Sequence, residues 1–280
     1  MKEKKKLPAD DPAMLLLGEI QNRGIATDVI ESNNVLADIP LIRLDDPSLD
    51  QSRTDVFNPM VGGISCGPGV SVLYAPWAGT LGIAATRTNF DNFGEPGIMS
   101  NQHVMYYDPE TTTVYQPARK DSVWNYQAGD KLKAFKGNVL FGGVQIYVDC
   151  AVASVIADRS SARWSVFGID GLVMGIVERS NVGLGNPVIK SGIATGVTNG
   201  KVKYLSYEAP DSGGVIAYNQ FGIVGDDGVK FADGGDSGSV VLIGSKIMGL
   251  LWGGGPDNTD YLVAASPIEA VIQTLNVNLA

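Results

Sequence analysis

Residues 234–243 read Gly234-Gly235-Asp236-Ser237-Gly238-Ser239-Val240-Val241-Leu242-Ile243. An acidic and hydroxyl pair flanked by glycines runs straight into an apolar, β-branched stretch. That stretch is too short for a helix and follows turn residues, so it reads as a buried strand. The same grammar recurs outward from it. Apolar runs at 69–74, 80–86, 98–105, 139–156, 172–177, 188–190, 214–218 and 247–251 are separated mostly by Gly, Asn, Asp or Pro. No long amphipathic helical pattern interrupts them. The chain is therefore expected to be all-β, a sandwich or barrel, and not a series of βαβ units.

Helical signals sit only at the ends. Asp11 is a good N-cap and Pro12 suits the first helical position, which predicts a helix over 13–23 closed by Gly24. A strand is expected over 25–30, and the polar, acidic stretch 31–58 reads as a linker or wrapping arm. At the other end Ser266-Pro267-Ile268-Glu269 reads as a capping box, opening a helix over 266–276 with Ile268, Val271, Ile272 and Leu275 on one face. The expected division is an N-terminal tail, helix and arm over 1–58 and a body over 59–280.

Composition narrows the function. Hydrophobic residues make up 44% and charged residues 18%, which suits a globular chain, and 35 glycines without a Gly-X-Y period exclude collagen. The net charge is −9; residues 1–6 carry +3, so the rest carries −12. Such an acidic body is a poor electrostatic match for nucleic acid or anionic lipid, and neither is expected as a partner. No apolar run is long enough for a transmembrane helix, and the basic start lacks a long apolar secretory stretch, so a cytoplasmic protein is expected. The chain has one histidine and two cysteines, which excludes a His/Cys zinc site. EF-hand, phosphate-loop and dinucleotide spacings are missing, so no metal or cofactor is expected. Cys66 and Cys150 are two buried thiols or one bridge.

Three residues carry candidate chemistry. Ser237 stands where flanking glycines allow tight backbone geometry and close approach of a carbonyl, as a nucleophile requires; an ordinary Gly/Asp/Ser turn is the plain alternative. His103 is the sole histidine, in Ser100-Asn101-Gln102-His103-Val104, and alone could be structural. Asp149 lies in the apolar stretch Ile146-Tyr147-Val148-Asp149-Cys150-Ala151-Val152-Ala153. Burying it unpaired is costly, so it needs a partner such as an imidazole N–H, unless it faces water at a strand edge. Period two sends Cys150 to the opposite face.

The chain order His103, Asp149, Ser237 is that of one of the known Ser-His-Asp arrangements. With the motifs quoted above, with Ala78-Gly79-Thr80-Leu81-Gly82, with the hairpin-like stretch from Lys190 to Gly200 and with Ile247-Met248-Gly249-Leu250-Leu251-Trp252-Gly253-Gly254, the sequence resembles the trypsin-like (chymotrypsin-fold) serine proteases. It is most similar to their intracellular-looking bacterial and plant-type branch. The resemblance covers roughly residues 60–276. It implies two six-stranded antiparallel β-barrels, the first over about 60–160 and the second over about 165–265, with the site in the crevice between them. It implies a serine endopeptidase acting on a protein or peptide substrate. His103 would be general base and then acid, Asp149 its orienting partner, and the N–H groups of Gly235 and Ser237 the oxyanion hole. Phe231 stands where trypsins carry a pocket aspartate, with Asp233 an alternative facing the cleft. Trp252, Gly253 and Gly254 would border the substrate, and Gly253 to Gly255 offer an edge on which a peptide could add as a strand. Met60-Val61-Gly62-Gly63 echoes the start created by zymogen cleavage, but Gly62-Gly63-Ile64 reads better as the first barrel strand. The alternative to an active enzyme is a latent or inactive protease-fold module that binds peptides or scaffolds a complex. Residues 1–58 could cover the cleft, build a homo-oligomer or receive a regulatory partner.

Overall fold

The computed structural model describes residues 52–69, 78–87, 94–106, 110–119, 121–122, 126–257 and 260–279. The helix, the strand and most of the arm expected before residue 52 lie outside them, as does nearly all of the strand expected over 69–74. Among the described residues the order is β1 (Met60–Gly62), β2 (Ser65–Pro68), β3 (Gly79–Thr80), β4 (Ile83–Arg87), β5 (Pro96–Ser100), the short helix α1 (Gln102–Met105), β6 (Thr113–Tyr115), β7 (Gln127–Phe141), β8 (Val144–Ser154) and β9 (Ser161–Val166). There follow β10 (Pro187–Gly192), β11 (Gly196–Pro210), β12 (Ile216–Gly225), β13 (Val240–Ile243), β14 (Lys246–Asp257), β15 (Asp260–Pro267), α2 (Ile268–Leu275) and β16 (Val277–Asn278). No described helix is long and apolar enough to cross a membrane.

The all-β expectation holds, with one correction. The C-terminal half is a closed six-stranded barrel in the order β10-β11-β12-β15-β14-β13. The N-terminal half is an eight-stranded sheet, β16-β4-β5-β8-β7-β6-β2-β3, which its ladders do not close into the first barrel expected over about 60–160. Its edge strands, β16 and β3, are two residues long each and share no ladder. Strands β3 and β4 are consecutive pieces of chain separated only by Leu81 and Gly82, whose N–H groups donate to Ile64 O and Met99 O at 2.8 Å.

Strand β8 carries the core of this half. Ile146, Val148, Cys150 and Val152 pack into one cluster with Ile268, Val271 and Leu275 of α2. Ala151 and Ala153, on the opposite face, join Leu81 and Ile98 in another. A strand buried on both faces reads as a continuous apolar run, and this one places Asp149 on the face opposite Cys150. Cys66 and Cys150 are free and buried. Burial pushes the Cys66 thiol up to about 12 and the Cys150 thiol up as well, so neither is a nucleophile at neutral pH.

Three local expectations change. The run 98–105 is a strand only to Ser100 and then turns into α1, because Asp149 draws in the N–H groups of Gln102 and His103. The capping box at 266–269 does not form. Ser266 still belongs to β15 and its hydroxyl donates to Gln220 Oε1 (3.0 Å), while Glu269 accepts the Arg179 N–H (2.6 Å). The run 172–177 makes only an isolated bridge from Ile176 to Ile247. The long strands β7 and β11 went unread over their polar, lysine-bearing lengths, which pair with β8 and β12 as hairpins with one face open to water. The two hairpins meet where Asn138 donates to Ile216 O and Asn219 to Gln145 O, each at 2.8 Å.

Candidate active site

Asp149 is 1% exposed and fully engaged. Its Oδ1 accepts the backbone N–H groups of Gln102 (2.7 Å) and His103 (3.2 Å), and its Oδ2 lies 2.7 Å from His103 Nδ1. The buried Asn101 amide donates to the Asp149 carbonyl at 2.7 Å, tying α1 to β8. The first turn of α1 thus fixes both the carboxylate and the imidazole, and the backbone bonds leave one oxygen for the ring. Nδ1 carries the hydrogen, and Nε2 is left as the basic nitrogen.

Ser237 reaches the same place from the closed barrel. A cleft of about 670 Å³ is lined by His103, Asp149, Gly235, Ser237, Trp252 and Gly253 to Gly255. The cleft thus gathers every sequence-predicted site residue except Phe231. The serine loop is seated on the N-terminal half through Thr80. Its N–H donates to Ser237 O (2.8 Å), its hydroxyl donates to Gly235 O (2.8 Å), and that hydroxyl accepts the Ile193 N–H (3.1 Å). Gly238 is required by that fit: it has φ +95°, and a Cβ there would stand 2.1 Å from both Thr80 O and Ser100 Oγ. Among the described residues no acceptor takes the N–H of Gly235 or of Ser237, and both residues line the cleft. Ser237 Oγ donates to Trp252 O at 3.3 Å and makes no hydrogen bond to His103 in this state.

Beneath the loop lies an ion pair that the sequence reading did not name. Lys190 and Asp236, both without exposed side-chain surface, meet at 3.0 Å. The Lys190 ammonium also donates to Thr195 Oγ1 and to Gly196 O (3.0 Å). Asp236 accepts the Thr195 hydroxyl (2.7 Å) and the N–H groups of Asp233 (3.0 Å) and Ala194 (2.9 Å). Burial alone would raise the Asp236 carboxyl. The Lys190 ammonium, the Thr195 hydroxyl and the backbone donors outweigh it and hold the carboxyl below its ordinary value. An internal ammonium is therefore the charge partner of the carboxylate beside Ser237. Met60 is fully buried, with its N–H bonded to Ser160 O at 2.8 Å. The one signal for Lys190 was its place after Val188-Ile189, in a strand with no room for an unpaired charge.

Phe231 does not line the cleft. Its ring is fully buried in the barrel core and covers Gly200, where a Cβ would lie 2.7 Å from it. The pocket beside Ser237, about 140 Å³, is instead walled by Ala232, Asp233, Gly234, Leu251, Gly253, Gly254, Tyr261 and Val263. Asp233 sits at its rim, half exposed, with its carboxyl held low by the Gly234 N–H and by Lys230, whose Nζ is 3.2 Å away. Beyond β13, residues Gly253 to Asp257 of β14 pair with β15 alone among the described residues, which leaves their other edge unladdered.

The family model for the Nal1 C-terminal domain matches residues 162–273. No curated protein matches the sequence. Among solved structures, the chain is similar to Cellulomonas bogoriensis chymotrypsin at 19% identity and TM-score 0.54, over 79% of this chain and 97% of that one. It is similar to Thermobifida fusca protease A at 17% identity and TM-score 0.55, over 79% and 97%. A glutamic-acid-specific serine protease that uses a histidine triad in substrate binding matches at 19% identity and TM-score 0.57, over 79% and 100%. These neighbours are serine proteases, and the likeness shows that this chain has their fold.

Proposed function

We propose that this chain is a serine endopeptidase. The observation that carries the reading is the 2.7 Å bond from buried Asp149 to His103, in a cleft lined also by Ser237 and Gly235, whose N–H groups have no acceptor among the described residues. In the reaction, Nε2 of His103 takes the Ser237 proton as Oγ bonds to the scissile carbonyl carbon. The N–H groups of Gly235 and Ser237 hold the oxyanion. The imidazolium then gives its proton to the departing amine as the C–N bond breaks, leaving an acyl-enzyme. Water, deprotonated by the same imidazole, releases the acid and restores Ser237. None of these steps needs a metal or cofactor. A peptide strand would add along Gly253 to Gly255. Both thiols are free, as a reducing cytoplasm permits, and we place the activity there.

The small pocket indicates which residue precedes the scissile bond. Its volume of about 140 Å³ is close to that of a cavity of about 150 Å³ that takes up benzene, so it has room for an aliphatic or phenyl side chain. The Asp233 charge is already answered by Lys230. The single histidine cannot supply the histidine triad of the glutamate-specific neighbour. On fluorogenic peptides, kcat/KM after Leu, Met or Phe is expected to exceed that after Arg, Lys or Glu by at least about tenfold. Equal turnover after Arg would contradict this pocket assignment.

The test of the reading is labelling with a serine-directed fluorophosphonate. Wild type is expected to label, and Ser237→Ala and His103→Ala are not. The second reading, a latent module, is favoured by one feature, the Ser237 hydroxyl turned to Trp252 O. It predicts a folded wild type that resists the probe.

A further inference from the structure

The two halves of the site come from different sheets. His103 and Asp149 ride on α1 and β8, and Ser237 on the loop before β13. Their relative placement needs a part that touches both. Gln220 of β12 has that position. It is fully buried, and its amide has four hydrogen-bonding positions, all occupied. Nε2 donates to Tyr147 O (2.9 Å) and to Tyr218 O (2.9 Å), while Oε1 accepts from Trp252 Nε1 (2.7 Å) and Ser266 Oγ (3.0 Å).

Two of these partners lead directly to reacting groups. Tyr147 precedes Asp149 by two residues on the same strand and the same face. Trp252 presents the carbonyl to which Ser237 Oγ donates (3.3 Å), and the N–H of Gly238 donates to the neighbouring Leu251 O (2.8 Å). The Tyr147 and Trp252 rings also lie against each other, with centroids 4.9 Å apart. From above, Asp211 at the tip of the β11–β12 hairpin accepts the Tyr147 hydroxyl at 2.8 Å, and Lys136 stands 3.6 Å from the same oxygen. Asp211 is itself held by the N–H groups of Gly213 (2.8 Å) and Val215 (2.9 Å), so Tyr147 is gripped at its carbonyl and at its hydroxyl.

We infer that Gln220 is a positioning residue that sets the strand bearing Asp149 in register with the strand behind Ser237. The inference rests on the peptidase reading. Gln220 touches neither substrate nor reacting atoms; it acts through Tyr147 and Trp252. A buried amide with partners on both sides has one low-energy setting, because any slip leaves a buried polar group unpaired. That property is suited to fixing the distance between a base and a nucleophile, where about 1 Å of misplacement lowers rate about 10²-fold.

The test compares Gln220→Met, which keeps length and loses all four bonds, with Ser266→Ala, which removes one bond within the closed barrel and leaves the link to Tyr147 intact. Gln220→Met is expected to lower kcat and the fluorophosphonate labelling rate about 10²-fold with KM within about threefold. Ser266→Ala is expected to stay within about twofold of wild-type kcat. The His103–Asp149 bond lies wholly within the N-terminal half. The Nδ1–H proton resonance of the single histidine should therefore persist in Gln220→Met, whereas general loosening of the fold would remove it. If Gln220→Met does not fold, Trp252→Phe removes the indole donor together with part of the ring that lies against Tyr147, and is expected to lower kcat about tenfold. Labelling of Gln220→Met, or of Trp252→Phe in its place, at the wild-type rate would overturn the inference. So would equal kcat losses in Gln220→Met and Ser266→Ala, or loss of the histidine resonance. A wild type that never labels would overturn the peptidase reading itself, and this inference with it.

Discussion

Asp149→Asn is expected to lower kcat about 10⁴-fold while leaving the protein folded, the loss this substitution produces in a Ser-His-Asp site. The geometry dictates which way the new amide turns. Oδ1 of Asp149 accepts two backbone N–H groups, from Gln102 and His103. An asparagine must keep its oxygen there, because an NH₂ would face two donors. Its NH₂ then points at His103 Nδ1, which becomes an acceptor, and the ring hydrogen moves to Nε2. The base that should take the Ser237 proton is already protonated. Two measurements check this: kcat on the preferred apolar peptide, and the tautomer of the single histidine by ¹⁵N chemical shifts. A loss below about tenfold, or an unchanged tautomer, would sink the assigned role of Asp149.

Lys190→Met is expected to destabilise the protein by about 3–5 kcal/mol, the usual cost of leaving one member of a buried ion pair alone. Neither side chain reaches water, so solvent cannot replace the lost ammonium. The carboxylate it strands belongs to Asp236, which lies between the two N–H groups assigned to the oxyanion. Any reorientation of Asp236 moves Gly235 and Ser237, and kcat is expected to fall about 10²- to 10³-fold, as when an oxyanion donor is removed. Adding Asp236→Asn to Lys190→Met should recover part of the stability, since no charge then remains buried. The pair also sets an acid limit. Asp236 binds a proton less tightly folded than unfolded. Its stabilising contribution is therefore complete above the ordinary aspartate value of about 3.9 and is lost as pH falls through the lower, folded value. Thermal melts between about pH 3 and 8 should show the wild type holding its Tm to below about pH 4, while the deficit of Lys190→Met narrows as pH falls, because the stranded, buried Asp236 carboxyl takes up a proton. A variant with wild-type melts and wild-type activity would show that Lys190 does not support the serine loop.

The sequence was readable wherever one residue type has few physical options. A buried aspartate in an apolar strand needs a donor, and the chain has one histidine to offer. Glycines around Ser237 signal tight backbone geometry, confirmed at Gly238, where any Cβ meets the Thr80 carbonyl. Short β-branched runs between turn residues are strands, and the closed barrel follows from them. Alternation along β8 placed Asp149 and Cys150 on opposite faces without coordinates. What stayed hidden depends on contacts between segments far apart in the chain. Phe231 looked like pocket lining by its distance from Ser237, yet the barrel needed an aromatic over Gly200 and took it. Ser266 and Glu269 looked like reciprocal helix caps, but tertiary partners at Gln220 and Arg179 claimed both. The N-terminal sheet ends on two-residue strands, β16 and β3, whose edges share no ladder. Gln220 and Thr80 carry no local signature and Lys190 only its place in an apolar strand, since what defines each is a partner 73, 155 or 46 residues away. Local chemistry, expressed within a few residues, was thus determined by the sequence alone. The pairing of buried polar groups across the two halves was decided only by the tertiary structure, because a buried donor takes whichever acceptor the packing brings within reach.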